Sequence, residues 1–375
     1  MTRAELRAML AASALLGGAV LVPLLLGALA VPMQRELGYG DRDLGAAAAL
    51  FWAATAVSAP LAGRLADRLG WRTATRWGGL AAATCLLATA AWTESYGQLL
   101  VWLALGGIVY AFASPASNLA LAHEVRPARH ALAFGLKQSS SPVASVLAGI
   151  AVPLVALTAG WRWVYVLAAL PVLLAAGAAG RTTGTAVPTA PAGRAGGSRR
   201  MAALMAAASL ATLATGALTT FSVRTLTESG LSAGAAGLVL ALAGGSAVLA
   251  RVGAGWLVDA RGLPPLRAAA VLLLAGVAGL VLLSAGSPAT GIAGAMLSAA
   301  GVWGWPALLL VGVVALRPAG SGAATGLIQF GTGVGASAGP LLFGLLVEQS
   351  GFRAAWLAVA VAATAGAFVM WQSAR

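Results

Sequence analysis

The sequence predicts an all-α integral membrane protein in which twelve transmembrane helices form two pseudo-symmetric six-helix bundles. Of its 375 residues, 60% are hydrophobic and only 9% are charged. The mean hydropathy of +0.89 is higher than a soluble domain of this length sustains. The apolar residues also fall into separate runs of membrane-crossing length, and the second half of the chain repeats the first.

The individual spans follow from run length, because a helix needs about 20 apolar residues to cross a hydrocarbon core of about 30 Å. The first run follows a short basic segment and shows no convincing cleavage site, so we expect it to be retained as a span. The predicted spans cover residues 8–31, 44–65, 74–93, 98–122, 129–156, 162–180, 201–223, 233–257, 266–285, 289–316, 321–347 and 352–373.

The net charge of +13 predicts orientation in a membrane. The arginines lie in short turns between apolar runs, so we expect the lipid bilayer, and not nucleic acid, as the partner. With both termini in the cytoplasm of a bacterial cell, most turn arginines fall on the cytoplasmic side of the inner membrane, as the positive-inside rule requires. The outer turns then hold only Arg35, Arg42, Arg162, Arg224 and Arg353.

An internal repeat divides the chain into two halves of equal topology. A shift of 191 or 192 residues aligns Glu36 with Glu228, Gly38 with Gly230, Gly70 with Gly262, Pro115 with Pro306, Gln138 with Gln329, and Arg162 with Arg353. We therefore predict an N-terminal bundle over 1–180, a flexible cytoplasmic linker over 181–200, rich in Gly, Pro, Thr and Ala, and a C-terminal bundle over 201–375.

The turn after the second predicted span carries the motif GRLADRLGWR, from Gly63 to Arg72. This motif resembles the signature loop of the major facilitator superfamily, G-x-L-x-D-R-x-G-R-[RK], with Trp71 in place of an arginine. The resemblance implies a secondary transporter whose loop latches the cytoplasmic ends of the bundles, and the alternative is an ordinary turn with orienting charge. The implied gating residues are Gly63, Asp67, Arg68, Gly70 and, in the second copy of the motif, Asp259.

Lys137 is the single lysine of the chain and lies about seven residues, or roughly 10 Å, into the fifth span. A buried charge there is costly and therefore indicates function. Ser141 and Ser145 extend a polar stripe along the same helix face, and Gln138 adds an amide that can orient a ligand oxygen. The alternative is a lysine that snorkels to the cytoplasmic interface.

Arg251 lies within the eighth span, eight residues before Asp259. Its placement resembles that of the substrate-binding arginine of nitrate and nitrite porters, although Ala59 occupies the matching position of the second span. The family resemblance implies that the fifth and eighth spans line one cavity, so we expect Lys137 and Arg251 to attract an anion between them. The alternative is a structural arginine bonded to helix carbonyls.

Weaker polar and aromatic candidates complete the predicted substrate site. Hydroxyl side chains in spans more often bond their own helix, so amides are the better candidates. The predicted substrate-binding residues are Lys137, Arg251, Gln138, Asn118, Tyr110, Gln329 and Trp303. We expect a monomer that binds a small solute, with an anion favoured, and neither cofactor nor metal.

Other functions fit the sequence less well. The acidic residues all lie in turns or at span ends, which disfavours a carboxylate proton relay. A proton-driven exporter of drugs or hydrophobic metabolites is the main alternative, but the fourth span lacks the arginine of that group and Ser141-Pro142 replaces its Gly-Pro motif. We find no nucleophile with a base, and no metal cluster, for an enzyme. The paired halves favour alternating access over a channel.

Overall fold

The computed structural model describes residues 3–126, 130–179, 199–316 and 321–374, and every regular element in these ranges is a helix. This confirms the predicted all-α fold class. The predicted linker over 181–200 lies outside the described residues except for Arg199 and Arg200, which begin a helix. The side chains of Asp67 and Asp259 also lie outside the description.

The helices in chain order are α1 (Arg3–Ala28), α2 (Ala30–Leu37), α3 (Asp41–Trp92), α4 (Tyr96–Glu124), α5 (His130–Ala151), a π-helical turn (Val152–Ala156), α6 (Leu157–Ala159), α7 (Trp161–Ala179), α8 (Arg199–Glu228), α9 (Ala233–Arg261), α10 (Pro265–Leu283), α11 (Pro288–Val302), α12 (Pro306–Leu316) and α13 (Ser321–Gln372).

Within the described residues, each predicted span overlaps one or two of these helices. Eight described segments are long and apolar enough to cross a membrane: Glu5–Ala28, Tyr96–Leu121, Leu136–Ala159, Arg199–Glu228, Ala233–Val258, Pro265–Leu283, Pro288–Val313 and Ile328–Gln372. The last segment contains two predicted spans. The predicted sixth span falls on a shorter apolar helix, Trp161–Gly177, and the second and third spans fall on α3.

Two of the helices, α3 and α13, are each 52 residues long and join two predicted spans through a kink. At the kinks only Gly70 (φ 73°, ψ 157°) and Gly351 (φ 79°, ψ 171°) leave the helical conformation. This backbone region is accessible almost only to glycine. The turns predicted between these spans are therefore reduced to a single residue each.

The glycines with positive φ follow the internal repeat. Six of the seven such glycines in the described ranges form three pairs separated by 191 or 192 residues: Gly38 with Gly230, Gly70 with Gly262, and Gly160 with Gly351. Helix caps repeat as well, because Ser95 and Ser287 each close a capping box at the start of α4 and of α11. The repeat seen in the sequence thus extends to backbone geometry at the turns.

The Cα positions group into two compact units. The first unit comprises Met1–Tyr39 and Leu50–Thr189, and the second comprises Gly40–Ala49 and Ala190–Arg375. The boundary between the units falls inside α3. Residues 40–49, which include the first turns of α3, belong to the second unit, and the rest of α3 belongs to the first.

In the first unit, the largely buried helix α1 packs against α4, α5 and α7. Close packing also depends on small residues, because a Cβ added at Gly107 of α4 would overlap the carbonyl of Phe51 on α3. The Glu36 carboxylate at the end of α2 accepts hydrogen bonds from Trp161 (2.6 Å) and Arg162 at the start of α7. Arg162 also donates to the Thr93 carbonyl (2.7 Å).

In the second unit, α8 packs along α13, and α10 packs against α11 and α13. Glycines at 331, 335 and 339 bring α13 against the backbone of α8. The first turn of α3 is held by two ion pairs, between Asp41 and Arg224 (3.0 Å) and between Arg42 and Glu348 (3.8 Å).

Candidate functional site

Lys137 and Asn118 form a polar pair between α5 and α4 of the first unit. Only 3% of Lys137 is exposed, and its Nζ donates a hydrogen bond to the Asn118 side-chain oxygen. Asn118 itself is exposed, as is Gln138 next to Lys137. The structure therefore brings two of the predicted substrate-binding residues together and places a buried ammonium behind an accessible amide.

In the serine stripe predicted beyond Lys137, which comprises Ser141 and Ser145, the hydroxyl of Ser145 bonds to its own helix, as does that of the neighbouring Ser140. Ser140 donates to the Lys137 carbonyl (2.6 Å) and Ser145 to the Ser141 carbonyl (3.3 Å). Hydroxyls that return to the backbone in this way have their own hydrogen-bonding capacity satisfied, and they slightly destabilise or bend the helix. Recognition is then left to the longer side chains. The same pattern holds in α8, where Thr212 and Thr219 bond to carbonyls four residues earlier.

Tyr110 lies in an aromatic cluster between α3 and α4. Its ring centroid is 5.4 Å from that of Trp52, in an edge-on arrangement, and 5.8 Å from that of Phe51. Neither Phe51 nor Trp52 was singled out by the sequence, because aromatic residues are frequent in apolar spans. Their adjacency to Tyr110 depends on how α3 and α4 pack, which a single sequence does not show.

Arg251 and Trp303 meet in the second unit, at a break between α11 and α12. Arg251 Nε donates to the Trp303 main-chain oxygen (2.7 Å), so the contact is made through the backbone and not through the indole ring. The Thr215 hydroxyl of α8 donates to the Val302 oxygen (3.1 Å). That oxygen has no helical partner at position 306 because Pro306 has no N–H.

The break also buries two indole N–H groups. Trp303 is 5% exposed and Trp305 is fully buried, and neither indole nitrogen has a hydrogen-bond partner among the described residues. An unpaired buried donor costs about 1–3 kcal/mol. Trp305 and Thr215 thus lie at the same helix break as Trp303, and the W-G-W-P run in the sequence signals that break.

Gln329, the repeat partner of Gln138, is exposed on α13. The structure describes no hydrogen bond from Gln329 to the other predicted site residues. The side chains of 321–327, immediately before it, lie outside the described set. Gln329 therefore remains a predicted residue of the site.

The predicted gating residues are only partly described. Arg68 is exposed, and Gly70 forms the kink of α3. No described atom lies within 4 Å of a Cβ added at Gly63, so no described helix approaches this glycine closely. The side chains of Asp67 and Asp259 cannot be placed.

Among the acidic side chains of the first unit that the structure describes, Glu5 is the buried one. Glu5, 2% exposed, lies at the start of the first membrane segment and pairs with Arg126 Nε at 2.8 Å. The hydrogen bond and the charge of Glu5 raise the pKa of Arg126. Among the described side chains, no group of three or more His, Cys, Asp or Glu residues could hold a metal ion.

A comparison with known protein families identifies the family of this chain. The family model described as the Major Facilitator Superfamily matches residues 8–329. The chain belongs to the major facilitator superfamily. It is therefore a multi-pass membrane protein of a transporter family, as the signature loop implied. No curated protein sequence matches it.

Solved structures of this superfamily share the fold at low sequence identity. A peptide transporter, POT, solved in complex with sulfate, is 17% identical with a TM-score of 0.77, over 97% of this chain and 93% of its own. A bacterial homologue of the human lysosomal transporter Spinster, in an inward-facing and occupied conformation, is 16% identical with a TM-score of 0.76, over 100% and 94%. The nucleoside transporter NupG is 15% identical with a TM-score of 0.75, over 98% of this chain and 99% of its own.

Proposed function

We propose that this superfamily member is a secondary transporter that moves a small anionic solute across the bacterial cytoplasmic membrane by alternating access. The observation that carries the proposal is the buried ammonium of Lys137, hydrogen-bonded to the exposed amide of Asn118. A cation in a membrane segment is costly, and such residues mark substrate and ion pathways. An anion that reaches Asn118 gains the attraction of this charge.

The break at residues 303–305 supports an acceptor-rich substrate. Arg251 is anchored through Nε to the Trp303 carbonyl, which orients its planar fork. Indole nitrogens donate hydrogen bonds and do not accept them. The unpaired donors of Trp303 and Trp305 therefore suit oxygen atoms of a solute, and interrupted helices are a common element of transporter binding sites.

The other residues of the proposed substrate site and of the proposed latch are those that the sequence predicts. Asn118, Tyr110, Gln138 and Gln329 complete the proposed substrate site. The latch comprises Gly63, Asp67, Arg68, Gly70 and Asp259. The distribution of arginines supports cytoplasmic termini, and we propose that the transporter acts as a monomer.

The experiment that tests this function is a thermal-shift screen of the purified protein in detergent. The panel contains small inorganic anions and three compounds of similar shape but different charge: benzoate, benzamide and benzylammonium. We expect anions alone to raise the melting temperature, since a specific ligand stabilises the state it binds. Lys137→Ala and Arg251→Ala should each weaken anion binding by at least about 30-fold, the effect of about 2 kcal/mol for a truncated charge partner.

Two further variants sharpen the screen. Lys137→Arg keeps the charge but not the compact ammonium, so an intermediate loss is expected. Ser140→Ala is the matched control, because the described bond of its hydroxyl is to the Lys137 carbonyl and an unchanged response is expected. Stabilisation by benzylammonium alone, or normal anion binding in both alanine variants, would contradict the proposal.

The second candidate function is export of drugs or hydrophobic metabolites. The cluster of Phe51, Trp52 and Tyr110 favours it, because clustered aromatic rings suit an apolar or cationic cargo. The same screen separates the two functions: an exporter of this kind should respond to benzylammonium or to benzamide and be insensitive to Lys137→Ala.

A further inference from the structure

Two exposed arginines of the second unit contact the C-terminal end of α13, and a third exposed arginine adjoins one of them in sequence. Arg200, at the start of α8, donates to the Ser373 carbonyl through Nε (2.8 Å) and through Nη2. Arg267, at the start of α10, holds its guanidinium carbon 5.5 Å from the centroid of the Trp371 ring. Arg199 is the neighbour of Arg200 in sequence. We call Arg199, Arg200, Arg267 and Trp371 the basic corner.

The basic corner has no ion pair within the part of the chain that the structure describes. The described ion pairs of arginine involve Arg42, Arg126, Arg162 and Arg224. Capping the end of α13 explains the main-chain contact of Arg200, because cations stabilise the negative end of a helix. It does not explain why Arg267, a second exposed arginine, lies over an exposed indole at the same end of α13.

Exposed apolar strips run from the corner along two packed helices. On α10, Val271 (55% exposed) and Leu274 (43%) follow Arg267 at four and seven residues. On α13, Phe368 (60%) and Val361 (71%) precede Trp371 at three and ten residues. These spacings place each strip on one face of its helix, and α10 and α13 pack together. Charge and indole therefore lie at one end of a long apolar surface.

We propose that the basic corner binds the headgroup of an anionic glycerophospholipid. Guanidinium groups form paired hydrogen bonds with phosphate oxygens, and indole rings anchor at the level of lipid headgroups. The acyl chains lie along the strips of α10 and α13. Positive charge near the membrane surface contributes about 1 kcal/mol per residue with anionic lipid. This site is separate from the transport site and does not rest on the proposed substrate.

The test is a lipid titration of the full chain purified in a neutral detergent. Phosphatidylglycerol and phosphatidylcholine with identical acyl chains are added to wild type, and the lipid concentration that gives a half-maximal rise in melting temperature is measured. We expect half-saturation at much lower phosphatidylglycerol concentration. The single variant Arg267→Gln should raise that concentration by at least about fivefold, equivalent to about 1 kcal/mol. The double variant, Arg200→Gln with Arg267→Gln, should raise it by at least about tenfold, equivalent to about 1.4 kcal/mol.

The matched control is Arg353→Gln. Arg353 is an exposed arginine of the same unit, eighteen residues before Trp371, or about 27 Å along a helix, and it should titrate like wild type. Arg267→Gln removes no main-chain hydrogen bond, so it keeps the test valid if the double variant folds poorly. Equal affinity for phosphatidylcholine, an equal effect of Arg353→Gln, or the same stabilisation by inorganic phosphate would each overturn the proposal.

Discussion

At the residue scale, both intramembrane cations are bonded to neutral groups. Lys137 bonds to an amide and Arg251 to a main-chain carbonyl. The sequence identified both cations, because charges in apolar runs are conspicuous. It did not identify their partners, since the contact between α4 and α5 depends on the rotation of each helix about its axis. Trp303 was expected to act through its ring, and the structure shows its carbonyl in contact with Arg251.

Glu36 provides a test of electrostatics outside the membrane segments. Partial burial raises the pKa of Glu36, but hydrogen bonds from Arg162 and Trp161 and the charge of Arg162 outweigh this, and the pKa lies below its usual value. A carboxyl with a lowered pKa in the folded state contributes stability that is present above the pKa of the unfolded chain. That stability is lost as the pH falls through the folded pKa.

We therefore expect Glu36→Gln to destabilise the protein near pH 7 by on the order of 1 kcal/mol, a charged hydrogen bond reduced for solvent exposure. The difference from wild type should shrink below about pH 4.3, the usual value for glutamate. Urea unfolding of both proteins at several pH values measures this difference in the free energy of unfolding. Glu94→Gln, at an exposed acid of the same unit, is the control. A pH-independent difference would show that Glu36 acts through packing instead.

At the element scale, the all-helical class and the order of the apolar spans along the chain were predictable because run length and hydropathy decide them. The sequence repeat also anticipated where turns would recur, and the paired positive-φ glycines and the caps at Ser95 and Ser287 show the physical reason. The continuity of α3 and α13 was not anticipated. A basic G-x-L-x-D-R motif in a sequence predicts a turn of several residues between two helices. In the structure a single non-helical glycine is enough to change the direction of the chain.

The kinks give a prediction for helix geometry. Gly351→Ala places a Cβ in a conformation that only glycine readily adopts, so it should destabilise the protein by about 1–3 kcal/mol. Gly253→Ala is the matched control, since this glycine is inside α9 with open space around it and alanine is the better helix former. Thermal unfolding in detergent compares them. Equal melting temperatures for the two variants would mean that the α13 kink relaxes without strain.

At the scale of the whole molecule, the protein has two compact units, as many as the sequence has repeats. The units do not coincide with the two halves of the chain, because the second unit includes a segment of the first half. The ten residues 40–49 belong with the second unit, held by Asp41 with Arg224 and by close packing of Gly45 against Pro340. Their sequence differs from that of the repeat counterpart at 232–241, where Ala233 replaces Asp41. A single sequence shows this asymmetry but not what the acid binds.

The account's central claim is that this chain translocates an anion through a site built on Lys137. The most direct measurement is charge movement in proteoliposomes on a solid-supported membrane, after concentration jumps of sodium benzoate, sodium nitrate or benzylammonium chloride. We predict a transient current with the sign of inward negative charge for an anion, reduced by at least about tenfold in Lys137→Ala and unchanged in Ser140→Ala. A current elicited only by the cation, or an anion current that Lys137→Ala leaves intact, would contradict the claim.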